Sequence, residues 1–193
     1  MSSPALRPLI VGIGGAAREG SSTNRVLAQA LARAAALGCE TKMFEGAFLA
    51  RLPIYEPGNP DRCAERLELV ETVARADGLI VASPGYHGSI SGVVKNALDT
   101  LEGLRDDARP YFTGRAVGCV ITAEGWQAAG TTLTTLRSII HALRGWPTPF
   151  GAALNANSGS FDAEGACVDP KDAWQLATVG EQVLEFALLK AAR

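Results

Sequence analysis

The sequence has little from which a metal centre or a disulfide framework could be assembled. Its 193 residues include four cysteines, Cys39, Cys63, Cys119 and Cys167, and two histidines, His87 and His141. The cysteines are widely scattered and no C-x-x-C pair occurs, so free thiols in a reducing compartment are expected. Excess charge of either sign is missing too. Eighteen Lys and Arg against twenty Asp and Glu leave a formal net charge of -2, which gives no long-range attraction to nucleic acid or to an anionic membrane. There is no long hydrophobic run: the stretch Leu9–Ile13 is strand-sized and far too short to span a bilayer. The opening MSSPALRPLIVGIGG lacks a basic region followed by a long apolar run and a small-residue cleavage site. A cytoplasmic protein is expected. No internal repeat, low-complexity tract or linker breaks the chain, and its length suits one α/β domain running over residues 1–193.

What is present is an ordinary globular composition, 47% hydrophobic and 20% charged, in which strand-like apolar runs alternate with helical periodicity. Leu9–Ile13, Thr41–Phe44, Gly78–Ala82, Ala116–Ile121 and Pro149–Ala153 read as strands, the first of them ending in glycines as a buried parallel strand does. Helices are predicted over about Thr23–Ala36, Asp61–Ala76, Ser91–Glu102, Thr131–Arg144 and Pro170–Leu189. Their inward faces are read as Val26, Ala30, Leu31 and Ala34 in the first, and Leu67, Val70 and Val73 in the second. Leu133, Leu136, Ile140 and Leu143 form the stripe of the fourth, and Leu176, Val179, Val183 and Phe186 that of the last, which opens on a proline. Arg51–Asp61, with three prolines, and the polar, glycine-rich Asn155–Pro170 are loops. This alternation predicts an α/β fold, a doubly wound five-stranded parallel sheet with helices on both faces. Ligands of such sheets sit beyond the carboxyl ends of the strands, at the switch point of the winding.

Three loops therefore matter. The first, Gly12 to Asn24, leaves a strand and enters a helix, where unpartnered backbone N–H groups and the helix dipole favour an anion. Ser21, Ser22 and Thr23 add hydroxyl donors, and Arg18 a fixed charge suited to a phosphate. The plain alternative is a turn with a helix cap. Gly12-Ile13-Gly14-Gly15-Ala16-Ala17 also fits the dinucleotide pattern G-x-G-x-x-A, with Glu45 placed to meet a ribose. In that pattern the helix begins within the motif, whereas here a polar stretch from Arg18 to Asn24 intervenes, which suits a terminal monophosphate better. The loop lacks the Gly-Lys-Ser/Thr ending of a triphosphate loop.

The second loop, Ser83 to Gly92, has an irregular backbone enforced by Pro84 and Gly85, whose polar groups suit a flat heterocycle; Tyr86 offers an aromatic surface and His87 a polar edge. The alternative for Tyr86 and His87 is a packed loop with its hydrogen bonds satisfied. A nucleophile elbow is rejected, because Ile90 and not serine stands between Gly88 and Gly92. The third loop, Thr122 to Gly130, is built of small residues that let backbone N–H groups approach a ligand, and its Trp126 either covers an aromatic ring or packs at a subunit contact.

Together these stretches resemble a known family. Ser83-Pro84-Gly85-Tyr86-His87-Gly88-Ser89-Ile90-Ser91-Gly92-Val93-Val94-Lys95-Asn96-Ala97-Leu98-Asp99 is similar to the S-P-x-Y-x-x-S-x-x-G-x-L-K-N-x-L-D signature of the NADPH-dependent FMN reductases. The first loop resembles that family's G-x-x-R-x-G-S-S-T stretch, and Ser160 to Gly165 is similar to a late family feature. The third loop departs from the family at Glu124, Ala128 and Ala129, where glycines are common. The resemblance implies a flavodoxin-like sheet, FMN as ligand and NADPH or NADH as hydride donor. It assigns Arg18, Ser21, Ser22, Thr23 and, more weakly, Asn24 to the phosphate. Pro84, Gly85, Tyr86, His87 and Gly88 would line the isoalloxazine, with Thr122, Glu124 and Gly125 near its polar edge. Lys95, Asn96 and Asp99 are expected to serve packing, caps or an interface. No side chain is named as catalytic, because hydride passes between the cofactors. The resemblance further implies a homodimer or homotetramer, with reduced flavin passed to an acceptor or to a flavin-dependent monooxygenase. It extends to enzymes that keep FMN and reduce quinones, azo dyes or metal oxyanions. A flavodoxin-like electron carrier is a different class, but carriers tend to be shorter and strongly acidic. A nicotinamide-only protein would leave the second and third loops without a purpose.

Overall fold

The computed structural model describes residues 7–18, 20–59, 63–156, 159–162 and 165–192. Asp61, expected to start a helix, and Ala163 and Glu164 of the late family-like stretch lie outside them. The strands are β1 (Leu9–Gly14), β2 (Glu40–Phe44), β3 (Gly78–Tyr86), β4 (Ser89–Ile90), β5 (Ala116–Ala123), β6 (Trp146–Pro147) and β7 (Ala152–Asn155). The helices are α1 (Ser22–Ala36), α2 (Gly46–Leu49), α3 (Ala64–Arg75), α4 (Gly92–Thr100), α5 (Trp126–Ala142) and α6 (Pro170–Ala191), with a 3-10 turn at Leu101–Leu104.

The sheet runs β2-β1-β3-β5-β6, with β7 also on β5 and β4 on β3. All pairings are parallel except β3 with β4. Side chains alternate between two cores, as period-two strands buried on both faces require. Val11, Ile13, Leu79, Val81, Val117, Cys119 and Ile121 face α3, α4 and α5. Ile10, Ile80, Ala82 and Val120 face α1 and α6, where Val26, Leu27, Leu176, Val179 and Val183 complete the layer. This is the doubly wound order of a flavodoxin-like sheet, which reverses between β1 and β3.

Among the described residues the expected five strands become seven. The last position is shared by β6, which ends on Pro147, and β7, and their connection carries Pro149 and Gly151 and cannot keep an unbroken ladder. The other addition is a hairpin: β3 runs on to Tyr86 and folds back as β4, with Gly85 opposite Ile90 and Tyr86 opposite Ser89. Its two-residue turn, His87-Gly88, has positive φ at both positions (52° and 83°), the type I′ geometry that matches strand twist and favours glycine. Pro84 is tolerated within β3 because β1 has already ended, its last pair being Gly14 with Ala82.

Other differences are smaller. The stretch after β2 contains α2, and α5 begins at Trp126 instead of Thr131. In α3 the inward residues are Leu69, Thr72 and Val73, while Leu67 is 37% exposed. Phe186 of α6 is half-buried.

Candidate functional site

The carboxyl ends of β1, β3 and β5 open on a cleft of about 400 Å³, within the roughly 300–1,000 Å³ typical of small-molecule sites. Ala16, Arg18, Ser21, Ser22 and Thr23 form its first wall, Pro84, Gly85, Tyr86 and His87 the second, and Thr122, Ala123, Glu124, Gly125 and Ala128 the third. Ala156, just past β7, closes one side.

The first wall is shaped by the chain reversal after β1. Gly15 (φ +112°) donates its N–H to the Ala82 carbonyl at 3.1 Å, and a Cβ there would collide with the Asn24 side chain. Ser21 then caps α1, its hydroxyl accepting from the Thr23 N–H at 3.2 Å. No acidic residue stands in the first turn of α1, so nothing there offsets the positive helix end. Thr23 and Thr122, both buried, meet hydroxyl to hydroxyl at 2.6 Å and tie the first wall to the third. One hydroxyl donates to the other, so one proton of the pair stays free for another acceptor.

The second wall is braced from behind. The buried Ser83 hydroxyl accepts from the Ser91 N–H and donates to the Pro84 carbonyl, both at 2.9 Å, which locks the base of the hairpin. A Cβ on Gly85 would meet Thr132 Oγ1 at 2.9 Å and Ala123 Cβ at 3.2 Å, so glycine here lets the hairpin lie against α5. Among the described residues the ionisable side chains lining the cleft are Arg18, Tyr86, His87 and Glu124, and Tyr86, 53% exposed, stands at its rim.

A crevice at the reversal point of a doubly wound sheet, anion-seeking at one end and framed by three loops, is a mononucleotide-sized site. The model of the family described as NADPH-dependent FMN reductase matches this chain over residues 8–159. This chain belongs to that family. The match takes in all three walls. An FMN-dependent NADPH-azoreductase of Staphylococcus aureus is 34% identical over 99 residues, which is 51% of this chain and 49% of that protein. The chain thus matches about half the length of this curated relative. Among solved structures, the flavoenzyme NAD(P)H:(acceptor) oxidoreductase FerB of Paracoccus denitrificans superposes with a TM-score of 0.77 at 20% identity, covering 94% of this chain and 98% of that one. An NADH:FMN oxidoreductase in its apo form gives 0.70 at 22% identity over 94% and 89%. These likenesses establish the flavodoxin-like fold.

Against the family motif, Arg18, Ser21, Ser22, Thr23, Pro84, Gly85, Tyr86, His87, Thr122, Glu124 and Gly125 all line the cleft. Asn24 and Gly88 stand outside that lining. The Asn24 amide oxygen accepts from the Gly46 N–H at 3.4 Å, tethering the first loop to α2, and Gly88 is the glycine of the hairpin turn. Lys95 and Asp99 form an i,i+4 ion pair at 2.7 Å on α4. Asn96 clamps the loop after α2, accepting from the Tyr55 N–H at 2.7 Å and donating to the Pro53 carbonyl at 3.0 Å. Trp126 is 60% exposed at the start of α5, with the Lys171 ammonium 5.7 Å from its ring centroid. Sequence reasoning did not single out Ala16 and Ala156 of the lining, since a small apolar residue outside the third loop has no chemistry to flag it. Among the described residues no helix is long and apolar enough to cross a membrane, and no group of three His, Cys, Asp or Glu side chains is placed to hold a metal.

Proposed function

We propose that the cleft binds FMN and that the protein is an NAD(P)H-dependent FMN reductase, with residues 1–193 acting as one cytoplasmic flavin-binding domain. The observation that carries this reading is the convergence of the three loops at the sheet's reversal point. The residues present suit the ligand. Arg18, the Ser21 and Ser22 hydroxyls and the free N–H groups at the start of α1 form an anion donor set for the phosphate. The spare proton of the Thr23–Thr122 pair suits a ribityl or ring oxygen. The hairpin backbone of Pro84 to His87 and the Glu124–Gly125 segment supply peptide groups for the polar ring edge.

Bound FMN supplies the hydride-accepting chemistry. The chain's share is to hold the ring by its edges and leave one face accessible to a nicotinamide, with reacting atoms about 3–3.5 Å apart. The small residues Gly85, Ala123 and Gly125 are compatible with such an open face. Reduced flavin passes to an acceptor, or to a partner monooxygenase, and the working unit is a homodimer or homotetramer. The azoreductase relative favours a second reading, in which FMN stays bound and azo compounds are the acceptors.

The test is a pair of titrations. FMN is expected to quench more strongly and to bind at least about tenfold tighter than riboflavin, since one charge-assisted hydrogen bond is worth roughly 1.5–3 kcal/mol. Equal affinity for the two flavins removes the phosphate site from the account.

A further inference from the structure

A second, smaller cleft of about 130 Å³ adjoins the main one at its phosphate end and shares Ser22, Thr122 and Ala156 with it. Its other walls include Arg25, Asn155 and Phe161. We propose that Arg25, which lines this small cleft as Arg18 lines the main one, is a second phosphate-binding cation of the FMN site, and that the small cleft receives part of the phosphate. The inference rests on the FMN reading and deepens it. It adds a specificity-determining residue that chooses the phosphate monoester over the free ribityl alcohol.

Three observations carry it. Arg25 is the fourth residue of α1, and helical side chains lean toward the helix N-terminus. Its guanidinium does so: Nη2 lies 4.0 Å from where a Gly20 Cβ would be, level with the loop that precedes the helix. Secondly, Arg25 is half-buried and makes no ion pair among the described residues, whereas Arg33 on the same helix is paired with Glu181 at 2.6 Å. A partly desolvated cation without an anion is electrostatically unsatisfied, and a dianionic phosphate would satisfy it. Thirdly, Arg18 is exposed, so solvent screens its charge more than that of Arg25. The half-buried residue is therefore the stronger of the two contacts.

The test titrates FMN and riboflavin into wild type, Arg18→Gln and Arg25→Gln. Arg25→Gln is expected to weaken FMN about ten- to a hundredfold, to leave riboflavin within about twofold of wild type, and to weaken FMN more than Arg18→Gln does. Riboflavin binding doubles as the check that the variant retains a folded cleft. FMN affinity unchanged in Arg25→Gln overturns the inference and leaves the FMN reading standing. Equal loss of both flavins also overturns it, because Arg25 would then act through the fold. Wild type that does not distinguish the two flavins is the separate result that removes the FMN reading itself.

Discussion

At the scale of single residues, the cleft depends on a few buried polar groups whose partners lie far away in sequence. Thr23 and Thr122 are the clearest pair. Thr23→Val strands a buried hydroxyl on β5 and is expected to cost about 1–3 kcal/mol in urea unfolding. The double variant Thr23→Val/Thr122→Val should cost less than the two singles summed, since neither partner is left alone. Arg115 is a larger case. It is fully buried, and its guanidinium donates to the carbonyls of Ala76 at 2.7 Å, Tyr111 at 2.6 Å and Ala74 at 2.6 Å, closing the C-terminal end of α3. Burial pushes its pKa down to about 10, which leaves it charged at neutral pH. Arg115→Met takes this donor from the Ala76 and Tyr111 carbonyls and leaves the Ala74 carbonyl with Arg109 alone, so a loss of roughly 3 kcal/mol is expected, about 6–12 °C in Tm for a chain of this size. Neither feature was legible in the sequence: a threonine or arginine shows its chemistry there, but not the distant group it meets. The charged and hydroxyl residues after β1 were legible, because a strand–glycine–helix junction dictates what its backbone lacks. Asn24 belongs to the same run, yet its amide is engaged by Gly46, a contact set by α2, which the sequence reading did not contain.

At the scale of elements, the strands and long helices followed from periodicity, while the short elements did not. The hairpin β3–β4 is the instructive miss. Pro84 and Gly85 suggested irregular backbone, but the paired φ values of His87 and Gly88 make a tight turn that returns the chain antiparallel. In α3 the expected Val73 is buried and Val70 packs against the core, but Leu69 and Thr72, not the exposed Leu67, complete the inward face, and both choices fit helical spacing. Only packing against β1 and the 3-10 turn chooses between them. The loop after α2 was expected from its prolines, and Asn96 ties it to α4 through two hydrogen bonds. Asn96→Ala removes both hydrogen bonds while keeping α4 intact. It is expected to speed hydrogen exchange and proteolysis at Ile54–Tyr55, where Ile54 is 82% exposed, with little change in circular dichroism. Protection equal to wild type in that segment would mean that the prolines alone hold it.

At the scale of the whole molecule, the fold does one thing for the site: it reverses its winding between β1 and β3 and gathers three loops at that point. The near-balanced charge bears on function too, since it gives the protein little electrostatic reason to dock on a charged redox partner. Direct reduction by a nicotinamide is therefore the expected route of electrons into the flavin. Purified protein loaded with FMN and mixed anaerobically with NADPH, and separately with NADH, is the most direct measurement. Flavin absorbance is expected to bleach within seconds with at least one of them, faster than for free FMN and with no added protein. If the flavin stays oxidised with both, or reduces no faster than in free solution, the reductase account is contradicted and a flavin-binding electron carrier takes its place.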